Sequence, residues 1–140
     1  MAIYKPRNVL KALAAVVQGA APQLTEVGAS QVTPNAKMPY AIISDVSNIP
    51  AHYFGVDNDD AWMRIQIDIF DKREGSNLTM EQLEDMGEAI YRVLNKKPIT
   101  VEAAGGCNCL SLSRGSVKQE SANINRITHQ FMVMLSEVNT

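Results

Sequence analysis

Chemically reactive side chains are scarce in this chain of 140 residues, which holds two cysteines, two histidines and few aromatic residues. Its formal net charge of −2 lacks the basic surplus typical of nucleic-acid-binding domains, so we expect no sequence-specific contact with nucleic acid. No apolar run approaches the roughly 18 residues that a membrane helix requires, and we expect no membrane contact. The composition, 46% hydrophobic and 20% charged, is that of an ordinary globular protein, and the length suits one domain over residues 1–140.

The first twenty residues allow two interpretations. Lys5 and Arg7, followed by an apolar stretch, have the outline of a secretory signal. Lys11 interrupts that stretch, however, and the apolar residues recur at the spacing of an amphipathic helix. Pro6 suits the first helical turn and Gly19 suits the end. We therefore favour a retained helix and a cytoplasmic site of synthesis. The apolar stripe of this helix comprises Val9, Leu10, Leu13, Val16 and Val17.

Two strands are predicted in the middle of the chain. They follow a loop over residues 22–39 that holds one short strand near Val27. The first strand covers residues 40–46 and the second covers residues 62–70. A long connection over residues 47–61 joins them.

The second of these strands shows the clearest alternation of apolar and polar residues. This pattern is typical of an antiparallel sheet that is covered on one side, so the polar face would meet water or a partner protein. The apolar set is Met63, Ile65, Ile67 and Ile69, and the polar set is Arg64, Gln66 and Asp68.

A second helix is predicted to begin after Thr79, which can cap it together with Gln82 three residues later, and to end before Pro98. We expect Glu88 and Arg92 to pair across one helical turn. The apolar stripe of this helix comprises Met80, Leu83, Met86, Gly87, Ile90 and Leu94.

Three extended segments follow the second helix, over residues 99–103, 109–117 and 127–138. This order of helices and strands predicts an α+β fold. We expect a mainly antiparallel sheet with two helices packed on one face.

The acidic cluster at residues 57–60, Asp-Asn-Asp-Asp, is the first candidate for a chemical site. An EF-hand calcium loop needs glycine at its sixth position and glutamate at its twelfth. Counting from Asp57, these positions hold Trp62 and Asp68, so the spacing fails. Aspartate and asparagine are also common turn formers. We predict a solvated loop tip and no metal site.

Cys107 and Cys109, in the sequence GGCNC, are the second candidate. A tetrahedral zinc site needs four ligands, and only His52 and His129 are available to complete it, without a recognised spacing. A thioredoxin-type site has CxxC at a helix start, whereas here CxC enters a strand. We interpret Cys109 as a small strand residue and Cys107 as a loop residue. A small cytosolic thiol protein that uses both cysteines is an alternative.

Nucleophilic catalysis lacks its usual residues as well. There is no GxSxG elbow, and neither histidine has a serine or cysteine partner in its sequence context. His129 lies within an alternating strand and is predicted to be a packed residue. His52 lies beside Tyr53 and Phe54, where it is better placed to contact a partner. We therefore predict no catalytic residue, no cofactor and no enzymatic activity.

Four patterns along the chain carry a family resemblance. They are a strand opening with Pro39-Tyr40, a strand of the type IQIDIF at Ile65–Phe70, a helix with spaced small and apolar residues at Leu83–Leu94, and a closing strand at Arg126–Phe131. In this order they resemble the tail terminator, or tail completion, proteins of long-tailed bacteriophages and prophages. The resemblance spans nearly the whole chain and rests on apolar patterns.

This resemblance implies a structural role in a virion. Members of the family assemble, usually as six copies, into a ring at the head-proximal end of the tail tube. The ring stops tube polymerisation and presents a surface to head-completion proteins, and the resemblance implies that genome DNA passes through it. The implied partners are further copies of the chain, the tail tube protein and a neck protein, after synthesis in the host bacterial cytoplasm. A phage neck or connector protein is the alternative, since it shares location and architecture.

Residues 47–61 form the predicted interaction arm. Fifteen residues is long for a connection between strands, and long loops are commonly functional or disordered. Its aromatic residues suit contact with a neighbouring subunit or the tail tube, while folding back onto its own sheet is the alternative. Together with the polar strand face, it gives a predicted partner-binding set of His52, Tyr53, Phe54, Asp57, Asp59, Asp60, Arg64, Gln66 and Asp68.

Overall fold

The computed structural model describes residues 6–50, 61–72, 75, 78–101, 105–115, 118–121 and 123–136. Within these residues the chain forms two helices and seven strands, a mostly antiparallel α+β fold as predicted. In chain order the elements are α1 (Pro6–Ala20), β1 (Glu26–Ala29), β2 (Tyr40–Pro50), β3 (Ala61–Lys72), α2 (Met80–Leu94), β4 (Pro98–Val101), β5 (Gly105–Arg114), β6 (Lys118–Ser121) and β7 (Ile124–Ser136).

The seven strands form one sheet built around its two longest members. Its order is β1-β2-β3-β7-β5-β4, and β6 pairs with β7 outside this path. Strand β3 pairs with β7 along its whole length, from Ala61 opposite Leu135 to Lys72 opposite Ile124. Among the described strand pairs, β1–β2 alone is parallel. Strands β5 and β6 occupy successive parts of the same edge of β7.

The helices α1 and α2 cover one face of this sheet, and the core lies between the two layers. Met63, Ile65, Ile67 and Ile69 of β3 are fully buried there, beside their register partners on β7 and β2. The described part of helix α1 runs from Pro6 to Ala20, and Lys11 is exposed on its outer side. Of its predicted stripe, Val16 is only partly buried. The buried members of the two layers include Val9, Leu10, Leu13, Val17, Ile43, Met63, Ile65, Ile67, Ile69, Phe131 and Val133.

Helix α2 has the predicted capping box. The Thr79 hydroxyl accepts from the Gln82 backbone N–H at 3.1 Å, and the Gln82 side chain accepts from the Thr79 backbone N–H at 2.9 Å. One predicted member of its stripe is wrong, because Met80 is 59% exposed. Burial on α2 begins one turn later, and Met80 in the first turn extends beyond the core. The buried residues are Leu83, Met86, Gly87, Ile90 and Leu94.

The predicted long connection over residues 47–61 is wrong at both ends. Strand β2 continues to Pro50, and β3 already begins at Ala61, its register partner. A bulge between Asp45 and Ser47 shifts the register without ending the ladder. Asparagine and proline suggested a loop here, yet the long partner strand supplies the hydrogen bonds, and proline is tolerated at a strand end. Residues 51–60 lie outside the described residues.

The strands after α2 differ from prediction in their bounds. Strand β5 begins at Gly105, which places Cys107 in a strand, where it is buried, and the predicted loop position is wrong. Strand β6, over Lys118–Ser121, was not predicted, because its four residues lack any apolar alternation. Strand β7 begins at Ile124, three residues before the predicted start.

Candidate interaction surface

The sheet face opposite the helices is termed here the open face. Alternation along each strand directs every second side chain to it. Strand β3 contributes Gln66 and Asp68, which the register places opposite Gln130 and Thr128 of β7. Within the described residues, neither helix covers this face.

A hydrogen-bonded polar ladder occupies the centre of the open face. The Thr128 hydroxyl donates to Asp68 Oδ1 at 2.6 Å, and Arg126 Nε donates to the same oxygen at 2.9 Å. Gln66 Nε2 donates to Asp68 Oδ2 at 2.9 Å, and Gln130 Nε2 donates to Gln66 Oε1 at 3.1 Å. Asp68 is therefore the acceptor at the centre of a connected network.

The three predicted partner-binding residues on β3 have different environments. Arg64 is exposed and Gln66 is half-buried, whereas Asp68 is only 6% exposed. A buried carboxylate requires donors, and the ladder provides three of them. Asp68 therefore acts first as an anchor for the ladder, and its contact with a partner stays a prediction. The sequence pattern placed it on the correct face, but only the register with β7 reveals its donors.

Aromatic rings continue the open face beyond the ladder. The Arg126 guanidinium carbon lies 5.6 Å from the ring centroid of Phe70. Phe70 in turn lies 5.5 Å, centroid to centroid, from Tyr40 on β2, at an interplanar angle of 36°. The same arginine thus contacts both a carboxylate and an aromatic ring, which holds its side chain across β3.

A cleft of about 550 Å³ opens beside the ladder, where the edge of β7 passes from β5 to β6. Three cationic residues, Arg114, Lys118 and Arg126, are among its described lining residues, and no acidic residue is. The two arginines form ion pairs, Arg114 with Glu88 of α2 and Arg126 with Asp68. We term this cleft the cationic cleft. Gly115 lies at the margin of the cleft, where its backbone passes close to the backbone of Thr128. A Cβ at this position would lie 2.3 Å from the Thr128 carbonyl oxygen, so a residue without a side chain fits here. Sequence reasoning missed Arg114, Lys118 and Arg126 as site residues, because three separate strand segments contribute them.

Apolar side chains occupy the other part of the open face, towards β5. Leu110 is 41% exposed and Met134 is 38% exposed, while Met132, the register partner of Leu110, is half-buried. Leu112, at a bulge in β5, is 43% exposed. Several exposed large apolar residues on one sheet face are typical of a protein-protein contact.

On the helix-covered face, His129 is buried against α2. It is 3% exposed, and its Nδ1 atom has no hydrogen-bond partner among the described residues. Burial lowers the pKa of His129, nearby Arg114 lowers it further, and Glu88 partly opposes this effect. Gly87 makes room where the ring meets the helix, because a Cβ there would lie 2.8 Å from His129 Nε2 and the ring would have to shift.

The expected pairing of Glu88 with Arg92 is replaced by an ion pair between layers. Glu88 of α2 binds Arg114 of β5, whose guanidinium carbon lies 4.0 Å from the ring centroid of Tyr91. Both partners of the ion pair are more than one-third exposed, so water screens it. The contact joins the end of β5 to the middle of α2, a long-range contact that helical spacing alone does not predict.

The two cysteines lie side by side under the helix layer. Cys107 and Cys109 are 2% and 1% exposed, and both are free thiols. A hydrogen bond between the thiols lowers the pKa of Cys107 and raises that of Cys109, and burial also raises the pKa of Cys109. In the pairing of β5 with β7, Cys109 is opposite Val133, and Val133 is four residues along β7 from His129. The thiols and the imidazole are therefore separated along the sheet. Burial restricts the access that a reactive thiol requires.

The remaining predicted partner-binding residues, His52, Tyr53, Phe54, Asp57, Asp59 and Asp60, lie outside the described residues. Among the residues that are described, no group of three or more His, Cys, Asp or Glu side chains is placed to hold a metal ion. Neither described helix has the length and apolarity to cross a bilayer.

Comparison with known proteins gives structural matches alone. No family model matches the sequence, and no curated protein does. A chain from a solved structure described as the virion of a native gene transfer agent particle shares the fold with a TM-score of 0.56. It is 15% identical, and the match covers 88% of this chain and 83% of that one. A second solved chain of no stated function has a TM-score of 0.62 and 12% identity, over 95% of this chain and 94% of that one. At these identities the matches establish the fold.

Proposed function

We propose that this chain is a structural subunit of a phage-like virion. The open face carries the proposal: it combines exposed apolar residues with a cationic cleft, and within the described residues it lacks a covering layer. A sheet face of this composition requires a partner surface to bury its apolar residues. The fold shared with a gene transfer agent virion chain supports a partner that belongs to a virion assembly.

Within the virion, we assign the chain to the tail terminator position. It forms a ring of several copies, six by the family resemblance, at the head-proximal end of the tail tube. There it ends tube polymerisation and forms the tail side of the head-tail joint. A ring requires two different patches on each subunit, one meeting the other on the neighbour. The apolar and cationic parts of the open face are two chemically different surfaces that suit this requirement.

The function is tested by adding purified protein to polymerising tail tubes of the phage or prophage that encodes it. We expect tubes to stop growing, with the protein at one end in electron micrographs. In particles from cells that lack the protein, we expect tubes of irregular length without attached heads. Protein found only on the head portal, with unchanged tube lengths, would identify a neck protein and contradict the terminator role.

A variant pair tests the open face itself. Leu110→Asp with Met134→Asp introduces two charges into its apolar part, and Met80→Asp introduces a charge at a more exposed apolar residue of α2. We expect the first variant to lose tube termination and the second to retain it. Both replace exposed residues, so each should change the free energy of unfolding by no more than about 0.5 kcal/mol per site. Equal activity of the two variants would exclude the open face as the contact surface.

A further inference from the structure

A second cavity, of about 280 Å³, is lined by α2, by the end of β5 and by β7, and we term it the interlayer cavity. Its described lining residues include two acidic ones, Glu84 and Glu88 of α2, and one basic one, Arg114 of β5. Glu88 and Arg114 form an ion pair, whereas Glu84 is exposed and forms no ion pair among the described residues. These three charged residues therefore leave one negative charge in excess.

His129 of β7 also lines the interlayer cavity, and it is buried. In the strand register it is opposite Arg114 on β5 and opposite Ile67 on β3. Its neighbours on the same face of β7, Ile127 and Phe131, are buried and apolar. Among the described residues, the charged groups near this imidazole therefore come from α2 and from Arg114.

The Nδ1 atom of His129 has no hydrogen-bond partner among the described residues, although buried polar atoms are usually bonded. The other ring nitrogen, Nε2, is next to the helix, since a Cβ on Gly87 would lie 2.8 Å from it. In a neutral imidazole one nitrogen donates and the other accepts, whereas a protonated imidazole has two donors and a positive charge. Protonation thus creates a need for an acceptor beside α2, and the carboxylates of α2 are acceptors of the right charge.

We propose that His129 is a proton-operated latch between the sheet and α2. While the imidazole is neutral, Glu88 binds Arg114 and so joins the end of β5 to α2. When the imidazole takes up a proton from the solvent, it binds Glu88 in place of Arg114, and Arg114 is released into water. The inference goes beyond the proposed function and does not depend on it.

Solvation determines which of the two cations keeps Glu88. The Arg114 side chain is 44% exposed, so water can hydrate its guanidinium when the carboxylate leaves. The Tyr91 ring, 4.0 Å from the guanidinium carbon, offers it a second contact. His129 is buried, and an unpaired charge is far more costly there than at the surface. The buried cation therefore gains more from the carboxylate than the exposed cation does.

The latch changes partner at acidic pH. Burial lowers the pKa of His129, Arg114 lowers it further and Glu88 raises it, so the ring is neutral at neutral pH and Arg114 keeps Glu88. As pH falls through the folded-state pKa, the added proton cancels the excess negative charge of the interlayer cavity. Arg114 lines both this cavity and the cationic cleft, so its release also alters that margin of the open face.

NMR titration of the purified protein tests the latch, from about pH 8 downward over the whole acid range in which the protein stays folded. The imidazole signal that is absent from His129→Gln belongs to His129 and reports its protonation. We expect the guanidinium signals of Arg114 to change with the same midpoint, because Arg114 loses its ion pair when His129 gains a proton. In His129→Gln, the Arg114 signals should stay constant through that transition.

Glu88→Gln separates an exchange of partners from a simple charge effect. The Glu88 side chain is 39% exposed, so this variant should fold. Without the carboxylate, the midpoint of His129 should move to lower pH, and the Arg114 signals should no longer respond when His129 is protonated. An Arg114 that only senses a nearby positive charge would still respond in this variant. Arg114→Gln removes the competing cation and should move the midpoint of His129 to higher pH.

Glu81→Gln is the control, since Glu81 is an exposed acidic residue of α2 that is not among the described residues of the interlayer cavity. It should leave the midpoint of His129 and the response of Arg114 unchanged. Three results would overturn the latch: a His129 that stays neutral as long as the protein is folded, Arg114 signals that do not follow its protonation, and an Arg114 response that survives Glu88→Gln. Every measurement uses the isolated chain, so failure of the latch is distinct from failure of tube termination.

Discussion

The two faces of the β3–β7 pair use alternate residues of the same strands, yet different forces organise them. On the helix-covered face, the side chains of Ile65, Ile67 and Ile69 are fully buried, and their stability derives from removal of apolar surface from water. On the open face, Asp68 is nearly as buried, but four hydrogen bonds in a ladder satisfy it and its neighbours. The comparison shows that a sheet face that neither described helix covers can still order its side chains, provided that its polar groups bind one another.

The largest expected effect is on the helix-covered face. Replacement of Ile67 by alanine should lower the free energy of unfolding by about 2–5 kcal/mol, because it leaves a cavity where the sheet meets the helices. Denaturant unfolding measures this loss. Arg64→Ala, on the opposite face of the same strand, is the matched control and should change stability by less than about 0.5 kcal/mol. Similar values for the two would show that the faces do not differ as described.

The open face should give a smaller but definite effect through Asp68. Asp68→Ala leaves donors of Thr128, Arg126 and Gln66 without their acceptor, and we expect a loss of about 1–3 kcal/mol. Asp68→Asn keeps an acceptor oxygen and should lose less. The ladder would be irrelevant to stability if both substitutions left the unfolding midpoint unchanged.

The contact of His129 with Gly87 permits a test by a pair of substitutions. In an exposed helix, Gly→Ala is stabilising by about 1 kcal/mol. Here the new Cβ would lie 2.8 Å from His129 Nε2, so we expect Gly87→Ala to be destabilising, by about 1 kcal/mol. In a His129→Ala background the same change should be stabilising. A change of the same sign in both backgrounds would argue against the contact.

The smallest effect concerns pH. Burial lowers the pKa of His129 below its ordinary value of 6.5, so the unfolded chain binds a proton that the folded chain does not. Stability from this residue is therefore complete above about pH 6.5 and declines as pH falls below that value towards the folded-state pKa. Thermal unfolding between pH 7.5 and about pH 5 should show a decline that is less steep in His129→Gln, which does not titrate there. Equal slopes for the two proteins would refute a contribution from this imidazole.

Local patterns predicted the elements that have strong periodicity. The stripe of α1, the capping box of α2 and the alternation in β3 each depend on residues that are close together in the sequence, so the sequence displays them directly. Segments with weak periodicity were predicted wrongly. Strand β6 has no apolar alternation, and the end of β2 contains asparagine and proline. Each becomes a strand because a longer neighbour completes its hydrogen bonds.

The candidate site was predictable in part. Alternation along β3 predicted that Gln66 and Asp68 lie on its polar face, and in the structure both lie on the open face. The alternation did not indicate that Asp68 is buried, because two of its three donors come from β7, about sixty residues away. The cationic cleft was not predicted, since Arg114, Lys118 and Arg126 become neighbours only through the pairing of β5 and β6 with β7.

The sequence by itself determined the α+β class, the apolar face of β3 and the capped start of α2, because periodicity and capping act over a few residues. The tertiary structure decided the strand order, the pairing of Glu88 with Arg114 and the assembly of the polar ladder and the cationic cleft. These features join residues from distant segments of the chain, and their geometry follows from the strand register. A slip of one residue in that register would move every side chain of the strand to the other face of the sheet.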